Sequence, residues 1–359
     1  VKGRVLVAGF TTRHVAQSAW KAGYEVYAVD HFCDDDLGWY TAGSRTFDDL
    51  ASLPGIIGEV CRERKFDILV VTSGAENLAT SLPLYGTPPD LVERYLDKLT
   101  TQHFLEGAGV PVPKMTGEGE YPCMIKPRRG AGGWRNQVIC SADEKEAWEA
   151  LFPNEPAICQ ELVEGVAASV SCIANGSHAR AIATNEQILR GGGERAFGYS
   201  GSITPCGSPL AGRMIALAER VAGLSGCLGS VGVDFVLGEE TWAIELNPRF
   251  QATLDTVEMA TGCNIFSLHL DACRGRIPGA TPQPRQVAAR QILFADRDCV
   301  ARESLSNLAP RVADIPKTGT EIEEGSAVVS TFGWGPTRAS ALEMLDKTIT
   351  DVKKHICRW

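Results

Sequence analysis

Asp234, Glu245, Asn247 and Arg249 stand close together in the middle of a 359-residue chain. In residues 241–247, Trp242, Ile244 and Leu246 interleave with Ala243, Glu245 and Asn247, so a strand here would put the second set on one face. Residues 231–237 read as a partner strand, with Gly238, Glu239 and Glu240 as the turn between them. A hairpin of the two runs brings Asp234 beside Glu245 and Asn247. Two carboxylates and an amide oxygen form a hard-oxygen set suited to Mg²⁺ that also holds phosphate oxygens. Arg249 adds a fixed positive fork for a transferring phosphoryl group or an oxyanion. Taken alone, the same pattern also describes an ordinary hairpin with a solvated acidic face.

The basic residues upstream shift that balance. Asp97 and Lys98 open a predicted helix that ends at Gly107, Ala108 and Gly109. An apolar strand over residues 123–127 carries one lysine, Lys126, and runs into the glycine-rich stretch Gly130, Ala131, Gly132, Gly133. Such a loop brings backbone N–H groups close to phosphates because no Cβ intervenes. A charge between Ile125 and Pro127 needs a partner, and two ammonium groups can reach one polyphosphate. Lys98 by itself also fits a solvated helix position. Residues 157–165 read as a strand entering a linker. Backbone groups at Gln160 to Val163 could read an adenine edge while Met124 or Leu162 packs its face; a plain buried strand fits that segment equally.

Composition narrows the classes. Hydrophobic content of 44% and charged content of 22% are those of a globular protein of two or three domains. A net charge of −9 argues against a nucleic-acid surface. The twelve cysteines are scattered without a C-x-x-C pair, which fits reduced thiols in a cytosol rather than zinc ligands. No apolar run is long enough to span a membrane. The chain opens on a strand with no signal peptide expected before it, and the missing initiator Met points to a trimmed start. The localisation expected is cytoplasmic.

The elements that must position these residues fall into three regions. Residues 1–90 read as a small Rossmann-like parallel α/β domain: a strand over 5–8, a helix over 12–22, strands over 25–29 and 66–72, and a break at 86–89. The first turn after Gly9 lacks the further glycines of a dinucleotide fingerprint, which argues against a dehydrogenase. Its backbone N–H groups could still meet a carboxylate. Residues 91–270 carry the chemistry. Residues 271–359 form a C-terminal α+β segment completing the fold, with a strand over 287–294, another over 327–332 and a helix from Thr337.

In order and type, these elements resemble the ATP-grasp superfamily across most of the chain. The run Asn247-Pro-Arg-Phe-Gln-Ala-Thr-Leu-Asp-Thr-Val-Glu-Met-Ala-Thr-Gly262 is similar to the matching stretch of biotin carboxylase and carbamoyl-phosphate synthetase. The group of predicted ATP-dependent carboligases related to biotin carboxylase shares a loop pattern that here falls on Gln187, Phe197, Tyr199, Gly201 and Pro205. The tyramine–glutamate ligase of methanofuran synthesis resembles the chain more distantly. The resemblance implies an α/β fold of two α+β lobes clasping ATP, behind the small N-terminal domain. It implies that Lys98 and Lys126 hold the ATP phosphates, that Gly130, Gly132 and Gly133 cover them, and that Gln160, Glu161 and Val163 face adenine. Asp234, Glu245 and Asn247 would hold Mg²⁺, with Mn²⁺ as a substitute, and Arg249 the reacting oxyanion. Gln187, Tyr199, Gly201 and Gln251 are the candidate substrate contacts.

Two positions depart from the family. Thr253 stands where biotin carboxylase has the acid that deprotonates bicarbonate. Ala167 and Ala168 stand where many members place a ribose-gripping acid, a role left to Glu164 or to no residue. The expected function is therefore an ATP-dependent carboxylate–amine ligase acting through an acyl phosphate, in C1-carrier cofactor biosynthesis by the group's association. Asp255 or Glu258 could accept the amine proton; solvated helix acids fit both positions equally. The alternatives are a carboxylase acting through carboxyphosphate and a non-catalytic ATP sensor. The expected partners are a small-molecule acid and amine, with no nucleic acid and no membrane, and a homodimer left open.

Overall fold

Alternate residues of one short parallel sheet divide the N-terminal region into two cores. The computed structural model describes residues 1–130, 132–192 and 196–359. Its first elements are β1 (Arg4–Gly9), α1 (Arg13–Lys21), β2 (Glu25–Asp30), β3 (Gly43–Thr46), α2 (Leu53–Glu63) and β4 (Ile68–Val71). The four strands pair in parallel in the order β3-β2-β1-β4. Val5 and Val7 pack with Val15, Ala16 and Ala19 of α1, whereas Leu6 and Ala8 pack with Leu53, Ile57 and Val60 of α2. Burial on both faces is why these strands read as continuous apolar runs. The turn before α1 is filled from within: the Thr12 N–H and hydroxyl both donate to Asp30, at 2.6 and 2.7 Å. The carboxylate that this turn was expected to meet is thus the protein's own, because Asp30 ends the neighbouring strand.

Next come α3 (Pro89–Tyr95) and α4 (Lys98–Gly107), then β5 (Cys123–Pro127), β6 (Gln137–Ile139), α5 (Ala142–Leu151) and β7 (Ala157–Glu161). The strands form an antiparallel sheet of order β6-β5-β7 over a small core of Cys123, Ile125, Ile139 and Trp148. Asp97 caps α4 by accepting from Leu99 and Thr100 N–H, while its second oxygen holds Arg128 at 2.6 Å. That pair ties the start of α4 to the strand end carrying Lys126.

The rest of the chain supplies β8 (Val166–Asn175), β9 (Ala179–Leu189), β10 (Tyr199–Thr204), α6 (Ala211–Leu224), β11 (Leu228–Leu237), β12 (Thr241–Asn247), α7 (Leu254–Thr261), α8 (Ile265–Cys273), β13 (Val287–Phe294), β14 (Cys299–Val300), β15 (Val312–Ala313), β16 (Glu321–Ile322), β17 (Ala327–Gly335) and α9 (Arg338–Ile356). Among the described residues, one antiparallel sheet runs β12-β11-β8-β9-β10-β13-β17-β15, so the C-terminal strands continue the sheet that begins with the β11–β12 hairpin. α6 covers one face. On the other, Ile173 and Ile182 pack with Leu254 and Val257 of α7, in the same core as Val5 and Val7.

Two expectations need correction. A bulge separates Asp234↔Glu245 from Phe235↔Ala243 in the hairpin. It sends Ala243 into the core with Leu246 and turns Ile244 to the cleft beside Glu245 and Asn247. The strict alternation expected for this strand therefore fails at one residue. Asp255 and Glu258 are not free helix acids. Asp255 takes Arg13 of α1 in a bidentate pair at 2.9 and 2.7 Å, and Glu258 accepts from the Ser18 hydroxyl at 2.5 Å and from Ile265 N–H. Both bind α7 to the N-terminal domain and neither lines the cleft, so neither is placed to take an amine proton. Arg13 also meets Asp314 at 2.8 Å and Asp36 at 3.7 Å, forming a buried ionic bundle among three regions of the chain. The twelve cysteines are free, and among the described residues no helix is long and apolar enough to cross a membrane.

Candidate active site

A cleft of about 730 Å³ opens between the two antiparallel sheets and the N-terminal domain. The β11–β12 register sets Asp234 directly opposite Glu245. Asp234 accepts from Gln187 Nε2 at 3.0 Å and from Asn247 Nδ2 at 2.9 Å. Burial, and then the facing Glu245, push its carboxyl up to about 7. Among the described residues no three His, Cys, Asp or Glu side chains are grouped to hold a metal; the oxygen set here is two carboxylates and one amide. A buried carboxyl raised in this way, with a second carboxylate opposite it, suits a divalent cation, whose charge would favour the ionised form of Asp234.

Lys98 and Lys126 reach the same place from two elements. Lys98 Nζ donates to the Gly130 carbonyl at 2.6 Å and stands 3.6 Å from Glu245. Lys126 is buried and donates to Gln160 Oε1 at 2.7 Å. Its ammonium is lowered to about 8, first by burial, with Glu245 opposing the shift and Lys98 adding to it. Gln160 donates in turn to Gln102 at 2.7 Å, and Gln102 donates to Glu106 and to the Pro113 carbonyl. A polar line thus runs from the lysine into α4. Gly132 and Gly133 line the cleft. A Cβ on Gly133 would lie 2.2 Å from the Phe197 carbonyl, at φ +71, so a glycine is needed where this loop meets the segment before β10. Ala131 and residues 193–195 lie outside the described residues.

The hinge side carries Met124, Gln160, Glu161, Leu162 and Val163. Glu161 already accepts Lys114 N–H at 2.9 Å, and Glu164 is exposed beyond the strand, away from the lining. Gln187, Tyr199 and Gln251 face the cleft, whereas Gly201 does not. A Cβ on Gly201 would meet the Arg290 carbonyl at 2.1 Å, so this glycine lets β10 approach β13 and is not a substrate contact. Thr253 borders the cleft, with its hydroxyl 3.2 Å from that of Ser171.

Arg249 is held from the N-terminal domain. Its Nε lies 2.8 Å from Glu76 Oε1, and both side chains are largely buried. The second Glu76 oxygen accepts Gly74 N–H at 2.6 Å, while Arg249 also donates to Asn247 Oδ1 at 3.2 Å. Phe10, Leu50, Ser73 and Gly74 complete this wall. Sequence reasoning missed Glu76, Gln102 and Phe10. A usable signal existed for Glu76: it sits just past β4, and ligands of open parallel sheets gather beyond the carboxyl ends of strands.

Comparison with known proteins agrees with this architecture. Residues 95–253 match the ATP-grasp domain. An uncharacterised protein of Methanocaldococcus jannaschii is 25% identical, over 91% of this chain and 87% of that one. The C-terminal section of the carbamoyl phosphate synthase large chain of Methanopyrus kandleri is 23% identical over 82% of this chain, which spans 61% of that relative. The biotin carboxylase domain of a Hydrogenobacter thermophilus 2-oxoglutarate carboxylase, solved with MgADP and bicarbonate, superposes with a TM-score of 0.80 at 14% identity, over 97% of this chain and 89% of that one. An L-amino acid ligase from Bacillus licheniformis does so with a TM-score of 0.72 at 16% identity, over 97% of each chain. With the glycine loop, the hinge strand and the acidic hairpin around one cleft, the chain has the ATP-grasp fold, and its residues 95–253 match the ATP-grasp domain.

Proposed function

We propose that this protein is an ATP-dependent carboxylate–amine ligase acting through an acyl phosphate. The observation that carries the reading is the convergence of Lys98, Lys126, Asp234, Glu245, Asn247 and Arg249 around one cleft. Lys98, Lys126 and the 130–133 loop bind the ATP phosphates, and the 160–163 segment binds adenine. Asp234, Glu245 and Asn247 would hold Mg²⁺, or Mn²⁺ in its place. A bound divalent ion would neutralise charge on the transferring phosphoryl group.

The acid's carboxylate oxygen attacks the γ-phosphorus, the bond to the β-phosphate oxygen breaks, and ADP leaves. The amine nitrogen then attacks the acyl carbon and expels phosphate, which takes the amine proton. Arg249 stabilises the tetrahedral oxyanion, with its guanidinium fixed by Glu76. Bicarbonate is a poorer acid here. Its attack needs a positioned base, and Thr253 offers a neutral hydroxyl already beside Ser171. An organic acid is ionised near neutrality and needs none.

The test is isotope transfer. An organic acid labelled with ¹⁸O in its carboxyl should pass one label to the released phosphate, with ADP formation requiring both acid and amine. Label arriving from bicarbonate alone would replace the ligase with a carboxylase. ATP binding with no phosphate release across acid and amine panels would leave a sensor.

A further inference from the structure

The N-terminal wall of the cleft differs in character from the rest. Phe10 and Leu50 line it at 37% and 41% exposure. One face of the Phe10 ring lies on His31, with centroids 4.6 Å apart and planes 12° apart, and Phe32 meets Phe10 edge-on at 5.2 Å. His31 is fixed in turn by its Nδ1 contact to the Phe47 carbonyl at 2.9 Å. Leu50 rests on Gly74, where a Cβ would come within 2.8 Å of Leu50 Cδ2. Phe10 N–H donates to the Ser73 carbonyl at 2.7 Å, and the next residues along, Gly74 and Glu76, lead directly to Arg249. A rigid apolar shelf therefore adjoins the guanidinium proposed to receive the substrate oxyanion. Among the described residues that line this wall none is charged, and both Glu76 oxygens are already engaged. The nucleotide base has a separate apolar lining at Met124, Leu162 and Val163.

We propose that the acid substrate carries a flat apolar body, such as an aryl group, which packs on Phe10 and Leu50 while its carboxylate meets Arg249. This rests on the ligase reading and adds a substrate class to it. A second ionised group on that body would meet no counter-charge on the wall and would lose its hydration there. A planar apolar body gains contact with a pre-stacked ring whose motion is already restricted.

The test compares 3-phenylpropionate, propionate and succinate by titration calorimetry against the protein held with MgADP. Phenylpropionate should bind at least tenfold tighter than propionate or succinate, about 1.4 kcal/mol. Phe10→Ser with Leu50→Ser should erase the margin over propionate without changing MgADP affinity, which also reports that the variant is folded. Equal binding of the three acids, or a margin that survives the double substitution, overturns the shelf. Failure of the ligase reading looks different: the margin is present, yet no acid of any kind supports ADP release. ADP release with polar acids alone would retain the ligase and remove the shelf.

Discussion

Raising the pH from about 7 to about 9 should weaken nucleotide binding roughly tenfold through one side chain, Lys126. Its ammonium is buried, has the neutral Gln160 as its 2.7 Å partner and titrates at about 8 in the free protein. A phosphate beside it would restore a higher value, because an opposite charge favours the ionised form. Affinity then follows the fraction of free protein already protonated, about nine-tenths near pH 7 and about one-tenth near pH 9. Stability responds in the opposite sense. The folded value lies below that of the free lysine, so the unfolded chain binds the extra proton between about pH 8 and 10.5, and this residue's share of stability rises with pH across that window. Full conversion of the shift gives about 3 kcal/mol as an upper bound. Calorimetric titration of MgADP at a series of pH values, in wild type and Lys126→Gln, reads the effect. The variant should bind more weakly near neutrality and lose the slope above pH 8. A wild-type affinity that is flat across the range, or a Lys126→Gln protein that retains the slope, would refute the assignment of this lysine to the phosphates.

Three further outcomes follow from named contacts. Glu76→Gln should lower acid-dependent ADP formation about 10- to 100-fold by loosening Arg249, while MgADP still raises thermal stability as in wild type; a kcat near wild type would free Arg249 from any need for this partner. Arg13→Met strands Asp255, Asp36 and part of the Asp314 contact set, and should cost about 3–5 kcal/mol in urea unfolding, so a loss below about 1 kcal/mol would mean the bundle contributes little. Gly133→Ala places a Cβ against the Phe197 carbonyl at a left-handed φ and should weaken MgADP at least about tenfold by displacing the loop, leaving the urea midpoint near wild type; unchanged MgADP affinity would show that the loop does not cover the phosphates.

Local signals in the sequence were sufficient where one element holds the whole answer. The β11–β12 hairpin, the Asp97 cap and the lysine at the end of β5 are each written within one short stretch of chain, by alternation, cap chemistry and an apolar run. The errors arose where the outcome depends on a neighbour. The bulge at Ile244 cannot be seen in a period-two pattern, because it is set by the register against β11. Asp255 and Glu258 resemble solvated helix acids until α1 supplies Arg13 and Ser18. Gly201 falls in a substrate loop by the resemblance, yet its small size serves the approach to β13. Gln160 was read through its backbone, whereas its side chain links Lys126 to Gln102.

Arg249 shows why the N-terminal domain is part of the site and not an appendage. The residue emerges just after β12, but its guanidinium is oriented by Glu76, contributed from beyond β4. A lone arginine on a short segment would sample several rotamers. A buried carboxylate at 2.8 Å, itself held by Gly74 N–H, leaves one. The same loop carries Ser73 and Gly74, on which Phe10 and Leu50 rest. The apolar shelf and the guanidinium are thus two features of one rigid wall, and a change in the shelf that moved the loop would also disturb Arg249. The side proposed for the phosphates is built otherwise: Lys126 sits on the small β6-β5-β7 sheet, joined to α4 through Arg128 and Asp97, and Gly133 meets the segment before β10. On the proposed reading, substrate and nucleotide would be held by separate structural units that meet at the acidic hairpin. A metal on Asp234, Glu245 and Asn247 would sit at that junction, so in the proposed reaction the hairpin, rather than either wall, would align the acid with the nucleotide.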